Sequence, residues 1–165
     1  MDCHCCTGKY DTWNVEGVYK CVNCRHFYRK YPGDMIKYHQ EQYRGKHRID
    51  NDEIDFNGNV TELFHEKRKD MCTKRVQAIA RFLDKKYECL DIGSGAGTFA
   101  KHLQERVKTI ECTELDPSLI DECKRLGFIV YTDDFLNLNL EKKYDIVSAW
   151  HVLEHVEDIE NFVHK

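Results

Sequence analysis

Two pairs of cysteines near the amino terminus have the spacing of metal ligands. Each pair has two residues between its members, and residues 7–20 separate the first pair from the second. This arrangement is typical of a zinc ribbon, in which each pair of thiolates binds one side of a tetrahedral metal ion. We therefore expect a structural zinc ion held by all four members, Cys3, Cys6, Cys21 and Cys24.

The segment that carries these cysteines needs a metal ion for a second reason. Residues 1–32 are too few to bury a sufficient apolar core, so a bound metal would supply the missing stability. Pro32 and Gly33 end the segment with a turn signal. His4 and Cys5 lie inside the first pair and remain alternative ligands.

A glycine-rich stretch lies between a predicted strand and a predicted helix. Residues 90–98 read Leu-Asp-Ile-Gly-Ser-Gly-Ala-Gly-Thr. Glycines at such a junction let the backbone turn sharply and let a ligand approach closely, although a plain strand-to-helix turn is the simplest alternative. The spacing differs from the dinucleotide fingerprint, whose third glycine would fall at Thr98. The loop residues of interest are Asp91, Gly93, Gly95 and Gly97.

Two acidic residues lie at the end of the second predicted strand, where a nucleoside would lie. A carboxylate at this place can accept hydrogen bonds from both ribose hydroxyls, as it does in dinucleotide folds. We assign this role to Glu114 rather than to Asp116. Asp116 stands before Pro117 and is better explained as the cap of the next helix.

The carboxyl-terminal half alternates short apolar runs with helical patterns. Strands are predicted at residues 87–92, 109–115, 128–131 and 144–150. Helices are predicted at residues 61–86, 98–107 and 117–127, and from about residue 153 to the end. Such alternation indicates an α/β fold, in which a parallel sheet carries helices on its faces.

Taken together, these motifs resemble the class I S-adenosylmethionine-dependent methyltransferases. The resemblance rests on the G-x-G-x-G loop after Asp91, on the acid after the second strand, and on residues 132–135 and 144–158. It implies a Rossmann-like sheet with the strand order 3-2-1-4. It also implies that the glycine loop holds the amino-acid part of S-adenosylmethionine.

The same resemblance assigns residues near the adenine ring and after the fourth strand. Asp134 would accept the adenine amino group, with Asp133 as the alternative acid, and Phe135 would flank the ring. Trp150 ends the fourth strand and joins the expected cofactor site. The Leu-Glu-His run at residues 153–155 resembles the start of the next helix in this family.

The amino-terminal half resembles one group within that family. In this group a zinc ribbon precedes a tyrosine-bearing connector and then the class I domain, and its members act on sugars, lipopolysaccharides or natural products. The implied divisions are a ribbon at 1–32, a connector with a helical segment at 33–74, and a partial methyltransferase domain at 75–165. One departure is Arg25, because the family often has glycine after the second cysteine pair.

A different motif, H-x-x-E-H, is formed by His151, Glu154 and His155 and matches inverted zinc peptidases. A peptidase would carry it inside a long helix, whereas here it directly follows a buried strand. We therefore expect His151 on a loop and disfavour peptidase activity. Some methyltransferases bind a divalent cation through a carboxylate at the first place of this motif, but His151 stands there instead. A structural role beside the cofactor is expected for Glu154 and His155.

Composition excludes several classes of protein. The formal net charge of −4 gives no general attraction to nucleic acid or to anionic membranes, and no apolar run is long enough to span a bilayer. The polar, cysteine-rich amino terminus is unlike a signal peptide. Nine cysteines therefore suggest metal binding or burial in a reducing compartment, and we expect the cytoplasm.

The expected reaction is methyl transfer from S-adenosylmethionine to a small-molecule acceptor, with a sugar or glycan precursor as the first candidate. A hydroxyl or carbon acid would need a base, and His151 and Tyr43 are the candidates. The alternative is a non-catalytic ribbon that binds nucleic acid or protein through residues such as Lys20 and Phe27. Turnover would favour the enzyme, and salt-dependent nucleic-acid affinity would favour the binding module.

The strand count suggests that this sheet is incomplete. The family's sheet has seven strands, and the sequence predicts four of them. The fourth would be an exposed edge, which is prone to pairing with another chain. We therefore expect either a fragment or a chain completed by a second polypeptide or by self-association.

Overall fold

The computed structural model describes residues 2–3, 5–14, 17–29, 52–55, 57–156 and 158–165. The chain divides into two compact units, one of Met1–Met35 with His155–Lys165 and one of Ile36–Glu154. Within the described ranges, every helix is too short or too polar to cross a lipid bilayer.

The first unit contains a three-stranded antiparallel sheet. Its strands are β1 (Tyr10–Thr12), β2 (Val18–Cys21) and β3 (Phe27–Arg29), in the order β1-β2-β3. Its core is small and consists of Cys3, Tyr10 and Cys21, with tyrosine rings packed around them. A short helix, Ile159–His164, also belongs to this unit and is capped by the Asp158 side chain.

The second unit is built on a four-stranded parallel sheet, which confirms the predicted α/β class. Its strands are β4 (Glu88–Ile92), β5 (Thr109–Thr113), β6 (Ile129–Tyr131) and β7 (Ile146–Ala149). The spatial order is β6-β5-β4-β7, with all pairs parallel. This is the expected order 3-2-1-4, and it places β4 between β5 and β7.

Three helices of this unit follow the predicted pattern but are shorter than expected. They are α1 (Glu62–Ile79), α2 (Thr98–Leu103) and α3 (Pro117–Arg125). A 3₁₀ turn continues each of the first two, at Ala80–Phe82 and Gln104–Arg106. Asp116 caps α3 as expected, because its Oδ1 accepts from Ser118 N at 2.9 Å and Leu119 N at 3.3 Å.

The core of this unit lies on one face of the sheet. Cys89, Ile110 and Cys112 point from the strands into a cluster that includes residues of α1 and α2. The isolated cysteines are therefore core residues, and all of them are buried: Cys72, Cys89, Cys112 and Cys123. On the opposite face, Ile129 is 61% exposed and Val147 is 54% exposed.

Candidate functional site

The glycine loop joins β4 to α2 in a conformation that favours glycine. Gly93, Gly95 and Gly97 have φ values of +63°, +60° and +73°. Side chains other than glycine rarely adopt these angles, because a Cβ atom would crowd the backbone. The G-x-G-x-G spacing therefore corresponds to three left-handed positions at every second residue, one for each glycine.

Hydrogen bonds fasten this loop to β5 and α3. Gly93 N donates to Thr113 Oγ1 at 3.1 Å, and Ser94 N donates to Thr113 O at 2.9 Å. From α3, Cys123 Sγ donates to Gly95 O at 3.1 Å. Thr113 and Cys123 were not identified as site residues from the sequence, although both lie in elements that the sequence predicted.

The three glycines differ in what surrounds them. A Cβ atom on Gly95 would meet nothing within 4 Å, so the loop is open there. On Gly93 it would lie 2.6 Å from Val152 Cγ2, and on Gly97 it would lie 3.0 Å from Cys123 Sγ. The loop is therefore packed at both ends and accessible in the middle, where a ligand can approach its backbone.

Glu114 follows Thr113 and is bonded directly to the loop. Its Oε2 accepts from Gly95 N at 2.7 Å, and its Oε1 accepts from Leu115 N at 2.8 Å and Asp116 N at 2.9 Å. Burial raises the pKa of Glu114, and these three N–H groups oppose that rise. Because a carboxylate has about four acceptor positions, roughly one stays free in this arrangement.

Asp91 is buried below the loop instead of facing outward. It is 1% exposed, and its Oδ1 accepts from Ser148 Oγ at 2.6 Å, which links β4 to β7. Burial raises the pKa of Asp91 to about 7, while the Ser148 hydroxyl and the charge of Arg75 act in the opposite direction. A direct contact between Asp91 and a cofactor stays a prediction.

The end of β6 brings the predicted adenine-binding residues to the same edge of the sheet. Glu114 N donates to Tyr131 O at 3.1 Å, so the two strand ends are adjacent. Asp134 and Phe135 follow and are half-buried, whereas Asp133 is exposed. Asp134 Oδ1 accepts a backbone N–H two residues further on at 2.8 Å, and no described residue bonds to its second oxygen.

Trp150 lies just beyond β7 and packs against two helices. Its ring forms an edge contact with Phe99 of α2 at 5.4 Å, and the Arg75 guanidinium of α1 lies 4.7 Å from its centre. Among the described residues, its buried Nε1 atom has no hydrogen-bond partner. These contacts make Trp150 part of the helical core, and its role with the cofactor stays a prediction.

Of the two proposed bases, His151 and Tyr43, only His151 lies among the described residues. His151 is exposed on a loop, as expected, with a φ of +58° and its Nδ1 3.2 Å from Glu154 Oε1. Because His151 lies outside any helix, the H-x-x-E-H pattern does not form the helical metal motif of a peptidase. Tyr43 lies outside the described residues, as does His4 near the cysteine pairs.

The four predicted metal ligands come together in the first unit. Their Sγ atoms all lie within 4.8 Å of one another. Cys3 Sγ and Cys24 Sγ are 3.6 Å apart, as are Cys6 Sγ and Cys21 Sγ. A tetrahedral zinc site with Zn–S bonds of about 2.3 Å has sulfur atoms about 3.8 Å apart. The donor set therefore fits zinc.

Backbone N–H groups point at these sulfurs, as thiolate ligands require. Cys5 N donates to Cys3 Sγ at 3.3 Å, and Gly8 N donates to Cys6 Sγ at 3.3 Å. The Cys5 thiol itself is exposed and outside the cluster. Arg25 has a φ of +62°, a left-handed conformation that favours glycine.

Residues 64–165 match a family model described as a methyltransferase domain. This match covers more than half of the chain, and the chain belongs to that family. A protein from Methanococcus maripaludis assigned as an S-adenosyl-L-methionine-dependent methyltransferase has a TM-score of 0.51 and 18% identity. That match covers 62% of this chain and 54% of the other, and it shows the Rossmann-like methyltransferase fold.

Two further relatives share smaller parts of their length with this chain. A malonyl-[acyl-carrier protein] O-methyltransferase from Ilyobacter polytropus is 29% identical over 83 residues, which are 45% of this chain and 30% of that protein. An S-adenosylmethionine-bound amino pentose methyltransferase from Micromonospora echinaspora is 24% identical, with a TM-score of 0.39, over 52% of this chain and 36% of that one. The chain therefore spans about a third to a half of these relatives.

Proposed function

We propose that this protein transfers a methyl group from S-adenosylmethionine to a small-molecule acceptor. The observation that carries the proposal is the bond between Glu114 Oε2 and Gly95 N at 2.7 Å. It joins a half-buried acid just after β5 to the open middle of a loop with three left-handed glycines. That combination provides a carboxylate that can accept hydrogen bonds from ligand hydroxyl groups, next to a backbone that the ligand can approach closely.

Each part of the cofactor has a candidate partner in this chain. The glycine loop would hold the amino-acid part, and Glu114 would accept a ribose hydroxyl at its remaining acceptor position. Asp134, or Asp133 in its place, would accept the adenine amino group, with Phe135 beside the ring. Support comes from the adjacency of the β5 and β6 ends through Glu114 N and Tyr131 O.

The bound cofactor would supply an electrophilic methyl group on a sulfonium that is a good leaving group. The protein's own contribution is then mainly to align the donor and the acceptor and to exclude water. His151, exposed and hydrogen-bonded to Glu154, is a candidate base for a hydroxyl or carbon acid. Tyr43 is the second candidate.

The acceptor that we propose first is a sugar or glycan precursor, and we place the protein in the cytoplasm. The sugar rests on the resemblance of the ribbon and connector to methyltransferases of sugar and natural-product pathways. The location is supported by the nine cysteines, of which none forms a disulfide and four cluster as candidate zinc ligands. Methyl-transfer assays with nucleotide sugars and with malonyl carrier protein as the competing acceptor would distinguish the two chemistries.

Ribose recognition is tested by two alanine substitutions at neighbouring acids. Glu114→Ala should weaken S-adenosylmethionine binding by about 1–3 kcal/mol, because hydrogen bonds to a charged acceptor are lost. Asp116→Ala should instead lower the free energy of unfolding by roughly 0.5–2 kcal/mol, since it removes the cap of α3, and leave affinity nearly intact. Calorimetric titration and thermal unfolding of both variants would measure this. Loss of binding in Asp116→Ala but not in Glu114→Ala would reverse the assignment.

We also propose that β7 pairs with another polypeptide, either a second chain or a second copy. Over the residues with described positions, β7 pairs on one side only, with β4, and its Val147 side chain is largely exposed. Such an edge is a template for strand pairing.

The 165-residue chain should therefore self-associate or bind a partner through β7. Light scattering of the wild-type chain would test this, first alone and then with any co-expressed partner added. A monodisperse monomer that binds no partner would contradict the proposal.

A further inference from the structure

A buried polar cluster lies beside the glycine loop and links three helices. His65 of α1 is 3% exposed, and Thr98 of α2 and Glu122 of α3 are each 4% exposed. His65 Nδ1 lies 2.9 Å from Thr98 Oγ1, and His65 Nε2 lies 2.8 Å from Glu122 Oε1. Both ring nitrogens of this histidine are therefore within hydrogen-bond distance of buried groups.

The neighbours of Glu122 determine how the imidazole is oriented. Burial opposes ionisation of Glu122, but hydrogen bonds from Arg125 and His65 lower its pKa. Arg125 contacts both carboxylate oxygens at 2.6 Å. Because an ionised carboxylate only accepts, His65 Nε2 carries a proton and donates to Glu122, which turns Nδ1 towards the Thr98 hydroxyl.

This cluster reaches the loop at its final residue. Thr98 directly follows Gly97, the last of the three left-handed glycines. The residue after Glu122 is Cys123, whose Sγ donates to Gly95 O at 3.1 Å. Cys123 thus bonds to the loop directly, and the neighbouring Glu122 orients the histidine that bonds to Thr98.

We propose that His65 is a positioning residue for the glycine loop, which it holds in place through its hydrogen bond to Thr98. The consequence for S-adenosylmethionine affinity rests on the proposed function, whereas the effect on the loop does not. If His65 only filled space in the core, loss of either hydrogen bond would affect the loop equally. A positioning residue depends on the bond that faces the loop.

Asparagine and glutamine separate the two hydrogen bonds of His65. The asparagine amide reaches the place of Nδ1, which faces Thr98, and the glutamine amide reaches the place of Nε2, which faces Glu122. Both variants lose one bond and similar packing, so both should lower the melting temperature by a similar amount. Glu122 also keeps its bonds from Arg125 in either variant.

Hydrogen exchange of the loop amides is the main measurement. In the full 165-residue chain, His65→Gln should raise the exchange rates of Gly93, Gly95 and Gly97 by about tenfold, the scale of one lost buried hydrogen bond. His65→Asn should raise them less than about threefold. Thr98→Val should raise the exchange rates as much as His65→Gln does. Thr98→Ser keeps the hydroxyl and should exchange at the wild-type rate.

Calorimetric titration measures the affinity of each variant for S-adenosylmethionine. The affinity should fall most in the variants whose loop amides exchange fastest. Equal loop exchange in His65→Asn and His65→Gln, or unchanged exchange in Thr98→Val, would overturn the positioning role. If the exchange pattern holds but the wild-type chain and its completed assembly bind no S-adenosylmethionine, the proposed function fails and the positioning role stands.

Discussion

Replacing both Cys21 and Cys24 with alanine is expected to abolish zinc binding and to unfold the amino-terminal ribbon. The ribbon's core consists of Cys3, Tyr10 and Cys21 with a few flanking tyrosines, which is too little to stabilise it without metal. Structural zinc supplies about 10–16 kcal/mol in comparable small domains. The wild-type chain should therefore contain one zinc ion.

Elemental analysis of protein purified without chelator measures the zinc directly, and near-ultraviolet circular dichroism reports the tyrosine packing. Cys5→Ala is the matched control, because Cys5 is exposed and its sulfur lies outside the four-cysteine cluster. That variant should keep its zinc and its fold. Undiminished zinc in the double variant, or a folded ribbon in metal-free wild-type protein, would contradict the assignment.

The second large effect concerns the pH dependence of stability, which Asp91→Asn is expected to flatten. The folded pKa of Asp91 is about 7, against an ordinary value of 3.8. Between pH 3.8 and pH 7, the Asp91 carboxyl is ionised in the unfolded chain but stays protonated in the folded chain. This group's contribution to stability is therefore fully present below pH 3.8 and is lost as the pH rises towards 7.

Each unit of pKa difference corresponds to about 1.4 kcal/mol, so the loss for Asp91 is of the order of 4 kcal/mol. Asparagine cannot ionise, although its Oδ1 can still accept from Ser148. Its buried amide adds a cost that does not depend on pH. Relative to wild type, the variant should thus gain stability from about pH 4 to pH 7 and level off above that.

Urea unfolding at several pH values measures this difference, and the slope against pH is the decisive quantity. The groups that act on Asp91 are the Ser148 hydroxyl, the Arg75 guanidinium and the Glu114 carboxylate. Asp121→Asn is the control, because that side chain is exposed on α3. An Asp91→Asn variant with the wild-type slope would show that folding does not raise the pKa of Asp91.

The amino-acid sequence by itself determined the features that depend on neighbours along the chain. Alternating apolar runs predicted the α/β class, and the resemblance supplied the order 3-2-1-4, which the sheet confirms. The Asp116-Pro117 pair predicted the start of α3, because a helix cap acts over three residues. The two cysteine pairs predicted the sulfur cluster, because the spacing within each pair is visible in the sequence and a tetrahedral metal ion needs the ligands of both pairs.

The ends of helices and strands were predicted less well, because alternative end positions differ little in free energy. The helix predicted at residues 61–86 ends at Ile79 and continues as a 3₁₀ turn. The strand predicted at residues 144–150 ends at Ala149, so Trp150 enters the helical core instead of the strand. His151 then adopts a left-handed φ that no local sequence signal indicated.

Tertiary structure alone decided which polar groups became buried partners. Asp91 and Ser148 are 57 residues apart in the chain, as are His65 and Glu122. Nothing near His65 in the sequence distinguishes it from an exposed helical histidine, and only the packing of α1 against α2 and α3 brings its imidazole to Thr98. Burial also raised the pKa of Asp91, because a charge loses the hydration it has in the unfolded chain when distant residues close around it.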